Sequence, residues 1–300
     1  MYTRILTSSL FLLLLSSCAS SLPSGKFYYQ EKRSTYHTDL VISIDKLEPC
    51  YLSSDDKLHL NRDMPVFLLV HGSSNSPIIF YTLSEQLEAH DIQTVCFRYN
   101  SRDSMFLSSQ QLIEAVEELS AALNGQQMTI IGYSQGGLVA RKAMIIEREH
   151  PIPSQLSLQL VTIASPFSGI QSSRLCMNTM LRLVSFGLHD LICWAISGDK
   201  WDEITPSSDF IRYPGTLSQA IKRSLAIITD ESGSCRVADE AGQCLKGDFV
   251  FSLSEQKTSL FKKEDSFTKV QVKAGHANIL GIHHQAPDQL IDILKHQGFI

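Results

Sequence analysis

Strand-length apolar runs alternate with helix-period segments through the middle of this chain, and that alternation constrains its architecture more than any other feature. PVFLLVHG (65–72) is continuous and apolar, FYTLSEQLEAH (80–90) is helical in period, IQTVCFRY (92–99) is a strand, and SSQQLIEAVEELSAALNG (108–125) is an amphipathic helix closed by Asn-Gly. QMTIIGYS (127–134), LVARKAMIIEREH (138–150) and LSLQLVTIAS (156–165) continue the series. Strands separated by helices require crossover connections, so the sequence predicts an α/β fold with a mainly parallel central sheet and flanking helices. Sites in such sheets form at the carboxyl ends of the strands.

The alternation fails from Ser168 to about Thr216, a long apolar segment that holds both tryptophans, Trp194 and Trp201. It resumes with RSLAIITD (223–230) and FTKVQVKAGH (267–276) before a final helix around PDQLIDILKHQ (287–297). An insertion after the sixth strand, over about 168–216, fits a cap. Its stretch LRLVSFGLHDLICWAISGDKW (181–201) is apolar enough to line an acyl-chain pocket or to form the cap's own core. Residues 20–61 are polar and mixed, with one alternating strand signal at DLVISI (39–44), and read as spacer plus edge structure.

Within TIIGYSQGGLVARKAM (129–144) an apolar run breaks at Gly132 and resumes as helix, which leaves Ser134 on a sharp strand-to-helix turn. Gly-x-Ser-x-Gly in that setting predicts a nucleophile elbow. A serine hydroxyl needs a base to take its proton, an acid to orient the base, and preorganised donors for the oxyanion. His71-Gly72-Ser73 ends a buried strand, so the backbone amides of Ser73 and Gln135 are the expected donors, with His71 shaping the loop. Of ten histidines, His276 directly follows a C-terminal strand among small neighbours and is the expected base. His283 and His284 lie beyond it, and the three lack the ligand spacing of a zinc site. For the acid, Asp248 in GDFVFSLSE (247–255) is favoured over Asp230, which immediately follows the seventh strand. No metal or organic cofactor is required.

The chain opens MYTRILTSSLFLLLLSSCASS, one basic residue followed by an apolar run too short for the roughly 20 residues that span a bilayer. It reads as a secretory signal over residues 1–17. Six cysteines remain beyond Cys18, which allow about 15 complete pairings. Local spacing favours Cys235 with Cys244 and Cys176 with Cys193, and Cys96 inside TVCFRY reads as a buried thiol. A net charge of −5, without a Lys/Arg-rich run, gives no nucleic-acid footprint.

Taken in order, VHGSS, GYSQGG, IASPFSG, GDFVFSLSE and AGHANILG resemble the α/β-hydrolase superfamily, in its lipase, esterase and acyl-thioesterase branch, over about residues 64–298. The acid segment is similar to that branch's Asp-Gly-x-Val, with Phe249 in place of glycine. The resemblance implies an α/β-hydrolase domain over 62–300 and a serine hydrolase that cleaves carboxylic esters, lipid esters foremost, through Ser134, Asp248 and His276. An acyltransferase or acyl-thioesterase would use the same triad, and a non-catalytic envelope binding module would use none of it. Leu15-Ser16-Ser17-Cys18 resembles the lipobox of bacterial lipoproteins, which implies a lipid anchor on Cys18 and residues 18–61 as a lipidated N-terminal region. Ala19 after the cysteine implies the outer membrane by the same resemblance.

Overall fold

The computed structural model describes residues 36–300 apart from 52, 54, 74, 148–151, 154–155, 174–192, 194–197, 240, 259–266 and 282–284. Its central sheet contains β2 (Leu47–Glu48), β4 (Val66–Val70), β5 (Gln93–Phe97), β6 (Met128–Tyr133), β7 (Leu158–Ile163), β8 (Ile221–Asp230) and β11 (Phe267–Lys273). The spatial order is β11-β8-β7-β6-β4-β5-β2, and every neighbouring pair is parallel except β2 on β5 at the edge. The fold is that of an α/β hydrolase, as the resemblance implies, and its sheet is mainly parallel, as the strand–helix alternation predicts.

Every residue of β4, β5, β6 and β7 is buried, as expected of parallel strands covered on both faces. Side chains alternate between faces, so each strand feeds two cores. Leu68 and Val70 of β4 join Leu112, Val116 and Leu119 of α2 (Met105–Ala122) and Leu138 of α3 (Gln135–Ala143). Phe67 and Leu69 join Leu83 and Leu87 of α1 (Tyr81–Glu88) and Leu290 and Leu294 of the C-terminal helix Asp288–His296. Ser104 caps α2, its hydroxyl accepting from the amide of Leu107, and the helix is followed by Asn124 and Gly125 at φ 55° and 74°.

The strand expected at DLVISI forms as β1 (Leu40–Ile42), but it pairs antiparallel with β3 (Leu58–Leu60) in a sheet of its own. The edge of the main sheet is instead taken by β2. The apolar alternation at 39–44 reports a half-buried strand without naming its partner, and only tertiary contacts supply that.

Cys235 and Cys244 form the expected disulfide, closing the hairpin of β9 (Cys235–Ala238) and β10 (Cys244–Gly247). Cys96 is not a free thiol: it is bonded to Cys50, a link of two buried sulfurs that ties the segment after β2 to β5. Sequence distance hid this pair, since strand pairing brings the residues together across 46 positions. Cys193 is disulfide-bonded, whereas Cys176 lies outside the described residues, as do Cys18, Trp194, His283 and His284.

β7 and β8 are parallel sheet neighbours, so the long segment between them leaves the carboxyl end of β7 and returns to the amino end of β8. Its described part includes a 3-10 turn at Asp199–Trp201 and the one-turn helix α4 (Asp209–Arg212). Most of the apolar stretch 181–201 lies outside the described residues.

Candidate active site

Ser134 sits between β6 and α3 at φ 56°, ψ −125°, a strained conformation for a residue with a Cβ. The surrounding contacts determine it. Its amide donates to the Ile163 carbonyl at 2.8 Å, and a Cβ on Gly136 would lie 2.2 Å from the Val70 carbonyl oxygen. A Cβ on Gly132 would lie 2.5 Å from the Cα of Gly137. The motif's two glycines are therefore required by close backbone approach. The serine itself is only 5% exposed, so the turn presents its hydroxyl to an enclosed site and not to bulk solvent.

His276 follows β11, and its Nε2 lies 3.1 Å from Ser134 Oγ. Its ring packs against Tyr133 and edge-on against Phe251, with centroids 5.0 and 4.9 Å away. Its Nδ1 lies 2.7 Å from a carboxylate, and that carboxylate is Glu231. Neither Asp248 nor Asp230 occupies the position. Glu231 is 1% exposed and fully bonded: Oε1 also accepts from Thr229 Oγ1 at 3.0 Å, and Oε2 accepts from the amides of Val250 at 2.6 Å and Phe251 at 2.8 Å.

The period of a strand explains why Asp230 misses. Thr229 is fully buried, Asp230 turns outward to Ser232 and Lys273, and Glu231 turns back in. Those outward contacts hold the Asp230 carboxyl below the usual carboxylate range, the Ser232 bonds foremost. Asp248 does reach the histidine's loop, but on its main chain. Its Oδ2 accepts from the amides of Ala277 and Asn278, both at 2.9 Å, and its own carbonyl accepts from the His276 amide at 3.0 Å. Its Oδ1 pairs with Arg236 Nε at 2.9 Å and Nη2 at 2.5 Å. Asp248 thus positions the loop that carries His276, and the segment GDFVF holds the Glu231 carboxylate with its amides. The clue was the carboxylate immediately after Asp230, one residue past the strand end.

The β4 loop runs against the elbow, since a Cβ on Gly72 would be 2.8 Å from the Cβ of Ser134. Ser73 follows directly, and Gln135 supplies the first amide of α3, which has no intrahelical acceptor and lies at the positive end of the helix dipole. Both expected donors therefore flank Ser134. His71 is buried and stacked on Tyr99 at 4.5 Å, its Nδ1 2.9 Å from the Gly72 carbonyl, while burial pushes its pKa down.

Residues 65–222, just over half of the chain, match the palmitoyl protein thioesterase family. The chain belongs to the palmitoyl protein thioesterase family. Among solved structures the mature form of the Bacillus licheniformis lipase BlEst2 is similar at 14% identity and a TM-score of 0.52, over 83% of this chain and 98% of that one. The propeptide form of that lipase gives 12% identity and a TM-score of 0.55, over 79% of this chain and 50% of that longer one. No curated protein matches the sequence. Family and fold together make the chain a lipase/esterase-type α/β hydrolase.

In this thioesterase-family chain one further residue converges on the site unannounced by any motif. Lys200, from the 3-10 turn of the insertion, is 4% exposed. Its Nζ donates to Ser73 Oγ at 2.6 Å and to Gln135 Oε1 at 2.5 Å. Sequence reasoning passed over it because a lysine in an irregular segment reads as a solvated charge.

Proposed function

We propose that the protein hydrolyses long-chain acyl esters and thioesters through a covalent acyl-enzyme on Ser134, with His276 as base and Glu231 as the acid that orients it. The continuous hydrogen-bonded line from Ser134 Oγ through both ring nitrogens of His276 to Glu231 carries this reading. Ser134 Oγ attacks the acyl carbonyl carbon while His276 Nε2 takes its proton, and the carbonyl π pair becomes an oxyanion facing the amides of Ser73 and Gln135. Collapse expels the alcohol or thiol, which takes the proton from Nε2. A water molecule, deprotonated by the same nitrogen, then attacks the acyl-enzyme, and its collapse returns the proton to Ser134 and releases the carboxylic acid. Glu231 accepts the Nδ1 proton as a hydrogen bond throughout. It fixes the tautomer and stabilises the imidazolium without itself being protonated.

The acyl thioester enters as a substrate through membership of the palmitoyl protein thioesterase family. The lipid ester enters through the apolar composition of the segment 181–201 in the insertion. Complete bonding of all three groups favours an enzyme over a binding module. The lipobox-like Leu15-Ser16-Ser17-Cys18 supports anchoring of the chain to a bacterial envelope membrane, the outer one by Ala19, with substrate drawn from lipids or lipidated molecules nearby. Turnover of a matched palmitoyl ester and palmitoyl thioester, with and without a competing alcohol, tests the reaction. Free palmitate from both substrates is the expected product. Transfer to the alcohol in preference to water would make the protein an acyltransferase.

A further inference from the structure

Lys200 is a buried ammonium whose described hydrogen-bond partners are both neutral side chains. Burying a charge this way costs several kcal/mol unless something offsets it. The two partners are the residues whose amides flank Ser134. Gln135 is held from its other end as well, its Nε2 donating to the Ser101 carbonyl at 3.2 Å. The turn that carries Lys200 is itself fixed to the body of the fold. The Asp199 amide donates to the Arg102 carbonyl at 2.7 Å, and Glu203 accepts from Ser104 Oγ at 2.6 Å and from the amide of Met105 at 2.5 Å. A Cβ on Gly198 would lie 2.3 Å from that same Arg102 carbonyl oxygen. The β4 loop and the elbow thus meet at one side chain of the insertion, whose turn is docked on the loop from β5 to α2.

We propose that Lys200 is a positioning residue for the oxyanion site: it fixes the spacing of Ser73 and Gln135 and places a positive charge where negative charge develops. This rests on the hydrolase reading above. Substrate binding in the ground state adds no charge at the carbonyl, whereas the tetrahedral intermediate supplies the anion that the buried ammonium lacks, so the benefit falls on the transition state. Burial, with the Arg102 guanidinium second, brings the Lys200 pKa down to about 8. Among the described residues the charged and titratable groups near it are Arg102 from the loop after β5, His71 at the end of β4, and Asp199, Asp202 and Glu203 on its own segment.

Steady-state hydrolysis of a soluble p-nitrophenyl acyl ester by the full chain, over pH 6.5–10, tests this. Lys200→Met is expected to lower kcat on the order of 10- to 100-fold with KM within about threefold, the partial loss of an oxyanion-site contribution. Lys200→Arg, which keeps the charge, is expected to restore part of kcat. It is also expected to abolish the decline in kcat that the wild type shows as pH rises through about 8. Ser73→Ala, which removes one acceptor and leaves the amide, is expected to lower kcat several-fold and serves where Lys200→Met does not fold. A wild type labelled by a fluorophosphonate at Ser134 with Lys200→Met or Ser73→Ala at wild-type kcat, or with the loss confined to KM, overturns the proposal. A wild type without that label fails the hydrolase reading instead, so the two failures are separable.

Discussion

Glu231 Oε1 stands 2.7 Å from His276 Nδ1, inside a pocket of neutral donors that leaves the carboxylate no other charged partner among the described residues. A carboxylate in that position acts by orienting the imidazole and stabilising its charged form. Glu231→Gln keeps the shape and removes the charge, and should lower kcat by roughly 10³- to 10⁴-fold with little change in KM. Asp230→Asn should remain near wild type. The same assay on both variants checks the assignment.

Asp248 acts on the histidine loop through the main chain, so its loss should show in stability before chemistry. Asp248→Asn weakens the pair with Arg236 and two amide contacts in a fully buried place. Thermal unfolding should show a loss of about 3 kcal/mol, the low end of the roughly 3–5 kcal/mol for breaking a buried charge pair, because Arg236 is 26% exposed. Arg236→Met should reproduce most of it, because it leaves Asp248 buried without its cation.

Gly136 admits no side chain. Gly136→Ala would press a methyl into the Val70 and His71 carbonyl oxygens, 2.2 and 2.4 Å away, and these belong to the strand that leads into the Ser73 loop. The expected outcome is near-complete loss of ester turnover with a lowered Tm. Gly125→Ala, which meets no atom within 4 Å, should cost only the penalty of its positive φ, about 1 kcal/mol.

Lys200 gives a stability prediction with a definite sign. Burial depresses its pKa in the folded protein to about 8 from the usual 10.5, so between these values the unfolded chain binds more protons and stability rises with pH. Below about 8 both states are charged and the cost of burying the ammonium is fully present. Tm measured from pH 7.5 to 10 should therefore rise for the wild type relative to Lys200→Met, and the relative gain should flatten as pH approaches 10.5.

The strand-to-helix turn at Ser134 and the placement of His276 beside it were legible because their constraints are local. Gly132, Ser134 and Gly136 are fixed by a turn of a few residues, and His276 by the end of a strand. The carboxylate that meets His276 was not, because a carboxylate one position past a strand end and one in a loop look equally available until the direction of each side chain is known. Glu231 turns inward by strand alternation beyond Asp230. Asp248 was drawn to the same histidine but to its peptide groups. The pair Cys50 and Cys96 and the docking of Lys200 depend on which strands and loops become neighbours across the sheet. Spacing along the chain carries little of that information.

The central claim, a nucleophilic Ser134 activated through His276 and Glu231, is tested most directly by fluorophosphonate labelling of the wild-type protein followed by peptide mass spectrometry. One adduct, on Ser134, is expected, forming at a rate that falls by orders of magnitude in His276→Ala and Glu231→Gln and stays near wild type in Asp230→Asn. No adduct, an adduct on another residue, or unchanged labelling in Glu231→Gln would contradict the account.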